Sequence, residues 1–154
     1  MSSAQATVNQ EKGALGMGFY LNNNEPYSMY QEMARSPYFV DKTAMIAEII
    51  PRIGIGEKYI CVTRPRRFGK SVMASMLGAF FSKARDAKEL FDTMDISHSP
   101  FYEKHLNKYN VIYMDFSGTG GFDDYGRYIS EIQAMLREDL RGEYKGLPFR
   151  QGSV

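Results

Sequence analysis

A chain of 154 residues is long enough for one domain that buries roughly 70% of its unfolded surface, and too short for two complete ones. Its 44% apolar and 24% charged residues exclude a disordered or low-complexity protein. A net charge of +1 leaves no whole-chain attraction for nucleic acid or an anionic membrane, so any electrostatic recognition is local.

Residues 1–18, rich in Ser, Ala, Gln and Gly, carry no periodicity and read as a flexible tail ahead of an ordered region over 19–146. The asparagines at 22–24 with Pro26 mark a turn, and residues 27–35 suit a short helix with Tyr30 and Met33 inward. Tyr38, Phe39 and Val40 make an apolar step. Asp41 or Thr43 can then cap a helix in which Met45, Ile46, Ile49 and Ile50 fall at helical spacing and which Pro51 ends or kinks. Gly54 and Gly56 turn the chain into an apolar, β-branched run, Tyr59, Ile60, Cys61, Val62 and Thr63, which predicts a strand. Cys61, the single cysteine, has no partner for an intramolecular disulfide and reads as a small buried hydrophobe.

After a basic loop, Val72, Met76 and Phe80 recur every four residues, flanked by Met73, Leu77 and Phe81. That stripe predicts a helix packed on a sheet, with Gly78 allowing close approach. Leu90, Phe91, Met94 and Ile96 suit a short helix or turn, and residues 109–116 read as a second strand. Gly118, Gly120 and Gly121 form a turn, because a dinucleotide fingerprint would need glycine where Asp123 stands. Asp123 or Asp124 caps an amphipathic helix with Tyr125, Tyr128, Ile129, Ile132, Met135, Leu136 and Leu140 on one face, stopped by Gly142 or Gly146. Residues 147–154 form a C-terminal tail. His98 and His105 have no cysteine or third histidine nearby, which argues against zinc. No stretch reaches bilayer length and no signal-peptide core is present, so a cytoplasmic protein without a membrane partner is expected.

The chemistry is concentrated in residues 59–71, YICVTRPRRFGKS. Strand, loop and helix in that order place unpaired N–H groups and the positive helix end where a polyphosphate can sit. Gly69 allows close backbone approach, Lys70 reaches the β and γ phosphates, and the Ser71 hydroxyl serves the bridging Mg²⁺. Arg66 and Arg67 add charge beside them. The general pattern would put its first glycine at 64, where Arg64 stands, so a basic surface turn stays open. So does a nucleic-acid contact patch of Arg64, Arg66, Arg67 and Lys70 with Tyr59 or Phe68 stacking. Asp115 at the end of the second apolar run is either a Mg²⁺ partner or a strand end, and Phe116 stands where a catalytic acid would follow.

YFVDKT at 38–43, TRPRRFGKS at 63–71, the SML-x-x-FF run at 75–81, Leu90 with Phe91, and VIYMDFS at 111–117 together resemble the AAA-ATPase-like family over residues 36–144. The resemblance implies that Arg64 belongs to the family's phosphate loop, RPRRFGK followed by Ser or Thr. It further implies ATP and Mg²⁺ as ligands, with Arg66, Arg67, Phe68, Gly69, Lys70 and Ser71 as the nucleotide-binding residues. The family's later strand ending in consecutive acids has no counterpart after Met114. The expected fold is therefore α/β: a partial P-loop NTPase of parallel sheet strands with flanking helices, truncated before the Walker B strand. Hydrolysis would be impaired in this chain alone, a second polypeptide could complete the sheet, and a non-functional fragment of a larger ATPase is the bleaker alternative.

Overall fold

The computed structural model describes residues 18–63, 65, 67–116 and 124–146. They fall into two compact units, one of residues 24–111 and one that joins the segment up to Asn23 with the segment from Ile112. The expected tail at 1–18 but for Gly18, the tail at 147–154, the glycine turn at 118–121, and Arg64 and Arg66 lie outside the described residues.

In the 24–111 unit, α1 spans Glu25–Ala34, with Pro26 in its first turn, where a missing N–H costs no intrahelical bond. Helix α2, Ala44–Ile49, passes into a 3₁₀ turn at Ile50–Arg52, as Pro51 requires. Helix α3 spans Lys70–Phe81. Helix α4, Lys88–Phe91, a 3₁₀ turn at Asp95–His98 and α5, Tyr102–His105, follow.

The stripe read from residues 72–81 supplies the core, but its partner is α1 and not a sheet. Phe80 is fully buried, its ring edge-on to Phe91 at 5.3 Å and 87°. Phe91 stacks in turn on Tyr30 of α1 at 5.3 Å and 17°. Such ring pairs contribute about 0.5–1.5 kcal/mol each beyond their buried area. Ile46, Met76, Ile96 and Tyr102 fill the space around them. Burial, with the Asp41 charge nearby, pushes the Tyr30 hydroxyl well above the usual phenol range. It remains a neutral donor, to Met94 Sδ at 3.2 Å.

Two polar clamps hold this core. Asp41 accepts from the Thr43 N–H at 2.8 Å and, through its other oxygen, from the Asp95 N–H at 2.7 Å. Thr43, fully buried at the N-cap of α2, uses its hydroxyl to accept from the Ile96 N–H at 3.1 Å, not to cap the helix. The second clamp is Asn107, which sits at φ +55°. Its N–H donates to Phe80 O at 2.8 Å, and its amide donates to Ser82 O at 2.6 Å and Ala79 O at 3.3 Å. Its side-chain oxygen accepts from the Ala87 N–H at 2.9 Å. These bonds satisfy carbonyls that the C-terminal turn of α3 leaves without intrahelical partners.

The expected parallel sheet is not the fold. Among the described residues no β-strand forms, and extended pairing is limited to two isolated bridges, Ser82 with Tyr109 and Leu21 with Ile112. The described residues are mostly helical. Residues 59–63 have strand-forming side chains but no ladder partner among the described residues; Tyr59 is 87% exposed, and Cys61 is exposed instead of buried. Strand propensity measures fit to a pleated, half-buried surface, and without that surface it dictates nothing. Residues 109–116, read as one strand, instead contribute a single bridge to each unit.

In the other unit, α6 spans Tyr125–Glu143 and is capped by Asp124, whose carboxylate accepts from the Gly126 N–H at 2.9 Å. Gly142 lies inside the helix, and Gly146 follows it at φ +93°. Tyr125, assigned to the packed face, is exposed. Asp139 gathers three backbone donors: Phe19 N–H at 2.6 Å, Tyr20 N–H at 2.6 Å and Leu21 N–H at 3.0 Å. Gly18 permits this, since a Cβ there would lie 2.4 Å from Leu21 O and 2.8 Å from Asp139 Cγ. Among the described residues no helix is long and apolar enough to cross a membrane.

Asn107→Ala is expected to destabilise the chain by about 1–3 kcal/mol, because it strips partners from buried carbonyls, and urea denaturation measures the loss. Asp139→Asn, which removes the charge from three short bonds, should speed hydrogen exchange at the Phe19, Tyr20 and Leu21 amides while α6 stays protected.

Candidate functional site

The loop ahead of α3 turns left-handed at two of three successive residues, Arg67 at φ +67° and Gly69 at φ +77°. Gly69 takes that conformation without a Cβ penalty. For Arg67 it costs on the order of 1 kcal/mol, a local strain of the kind that gathers at binding sites. Gly69 is the N-cap of α3 and offers no side-chain cap, and the first ladder bond runs from the Met73 N–H to Gly69 O at 2.9 Å. By helix geometry the N–H groups of Ser71 and Val72 have no carbonyl four residues back within the helix, and the dipole makes this end positive.

Lys70 and Ser71 are both exposed on this first turn. The Lys70 ammonium folds back over the loop, donating to Pro65 O at 3.0 Å. The groups presented are backbone N–H, an ammonium and a hydroxyl, which suit phosphate oxygens. Ser71 Oγ also suits Mg²⁺, which is held through few protein oxygens, with phosphate and water completing its shell. Asp115 is exposed and belongs to the other unit.

A pocket of about 330 Å³ lies beside the turn. Its loop and α3 wall is Arg67, Phe68, Gly69, Val72 and Met73, with buried Met76 behind. Helix α1 contributes Tyr30 and Met33. The connection after α1 contributes Ser36, Tyr38, Phe39, Val40 and Lys42, so the YFVDKT and RPRRFGKS motifs meet here. The Phe39 ring is held edge-on against Tyr30 at 6.0 Å and 69°, whereas Tyr38 is 90% exposed and Phe68 59% exposed. Of the residues assigned from sequence, Arg67, Phe68 and Gly69 are gathered at the pocket, with Lys70 and Ser71 next in the chain; Arg66 lies outside the described residues.

Sequence reasoning missed the pocket's other wall. The signal available was the pair of aromatic rings at 38 and 39, immediately ahead of a helix cap, a place where two burials in succession are hard to achieve.

Gly69→Ala tests the left-handed N-cap. A Cβ there meets nothing within 4 Å, so the expected cost of about 1 kcal/mol is conformational strain alone, read as a lowered urea midpoint.

A family model described as predicted AAA-ATPase matches residues 27–149. No curated protein and no solved structure matches the chain.

Proposed function

Because the chain belongs to the AAA-ATPase-like family, we propose that it binds ATP with Mg²⁺, the phosphates seated on the first turn of α3. The observation that carries this reading is the left-handed Gly69 N-cap, which lacks a side-chain cap and is followed directly by exposed Lys70 and Ser71. Backbone N–H groups and the helix dipole attract the phosphate oxygens, Lys70 neutralises charge on the β and γ positions, and the Ser71 hydroxyl contacts the metal. Arg67 adds a cation at the pocket; Arg66 is assigned to the same loop from the sequence. The reading is one of binding, and assigns no residue of this chain to hydrolysis.

Calorimetric titration with ATP, with and without Mg²⁺, tests it. Lys70→Ala is expected to weaken MgATP binding at least tenfold with the fold intact, since the side chain is exposed. Equal affinities for the two proteins would sink the phosphate assignment. Salt-dependent DNA binding that ATP does not displace would instead favour the loop as a nucleic-acid patch.

A further inference from the structure

We infer that the pocket beside the α3 turn is the base subsite of the bound nucleotide, with the rings of Tyr38 and Phe68 closing on the flat face of the nucleobase. This rests on the phosphate reading of the Gly69–Lys70–Ser71 turn, to which it adds a second and separable contact.

Three observations converge. The pocket shares Gly69, Val72 and Met73 with the start of α3, so it opens within about one helical turn of the proposed phosphate position. Its 330 Å³ stands at the lower end of the range of about 300–1,000 Å³ for small-molecule sites. Its lining is apolar and aromatic, with Lys42 and Arg67 as the charged members, and both are cations. That combination suits a ligand with an aromatic part and an anionic part, and the adjoining turn already accounts for the anion.

The two outer rings can close on a base. Phe39 is fixed against Tyr30, and Tyr30 in turn against Phe91, which makes a firm back wall. Tyr38 and Phe68 lie on opposite sequence motifs, and among the described residues neither ring packs against another ring. Both expose large apolar faces to water until something flat covers them. Stacking on such rings accepts any base, since every base offers a π face.

Titrations with MgATP and with inorganic tripolyphosphate, on wild type and Tyr38→Ala, separate this inference from the reading beneath it. Tyr38 is 90% exposed and has little packing to lose, so the variant is expected to fold. The expected result is that wild type binds MgATP at least tenfold more tightly than tripolyphosphate. Tyr38→Ala should weaken MgATP roughly tenfold and leave tripolyphosphate unchanged. If tripolyphosphate binds as tightly as MgATP, or if Tyr38→Ala leaves MgATP unaffected or weakens both ligands equally, the base is not in this pocket while the phosphate assignment stands. If wild type binds neither, the phosphate assignment fails and takes the subsite with it.

Discussion

Asn107 holds the C-terminal turn of α3, and the position of the candidate site depends on that hold. A helix end leaves carbonyls without intrahelical partners, and here the N–H of Asn107 takes Phe80 O while its amide takes Ala79 O and Ser82 O. The same side chain ties Ala87, so the helix end and the connection into α4 move as one piece. Buried Phe80, wedged between Phe91 and Tyr102, fixes rotation about the helix axis. A helix of twelve residues is a stiff rod of about 18 Å, so fixing its far end and its packed face aims its N-terminus. The loop ahead of it is exposed and makes few buried contacts, yet Gly69, Lys70 and Ser71 inherit a defined direction from the core.

The YFVDKT segment divides its work in a similar way. Half-buried Asp41 and fully buried Thr43 bind the backbone at Asp95 and Ile96, which anchors the start of α2. Tyr38, Phe39 and Val40, a few residues earlier, line the pocket. An anchored polar half holding an exposed aromatic half is a physical reason for these residue types to occur together: charge-assisted bonds set the position, and the rings remain available to a ligand.

The longer helices, α1, α2, α3 and α6, were legible in the sequence because a helix makes its hydrogen bonds within its own segment. The four-residue spacing of Val72, Met76 and Phe80, and Asp124 as a cap, carry their structural meaning locally. The run at 59–63 carries its meaning only if another segment pairs with it, and its composition cannot say whether one does. Cys61 went the same way, since its expected burial was borrowed from a sheet that the described residues do not form. The family resemblance over 36–144 agrees with the family match over 27–149, yet the α/β fold it implied does not follow for these residues. Asn107 was invisible among the polar residues of HLNKYN. Its role lies in a left-handed backbone and in partners twenty or more residues away, and the pocket likewise joins segments separated by some twenty-five residues.

The loop's own contacts bear on how tightly it can grip an anion. Lys70 donates to Pro65 O in an exposed setting, where a neutral acceptor and an ammonium are both well hydrated, so the net worth of that bond is small, about 1 kcal/mol. A polyphosphate offers the same ammonium a charged acceptor beside a helix N-terminus, an interaction roughly twice as strong as the one displaced. Under the proposed reading, a phosphate competes with Pro65 O for that ammonium on favourable terms. Arg67 stands at the pocket in a costly left-handed conformation. Under the proposed reading Arg67 and Gly69 would shape the turn that meets the anion, and Lys70 would supply its charge.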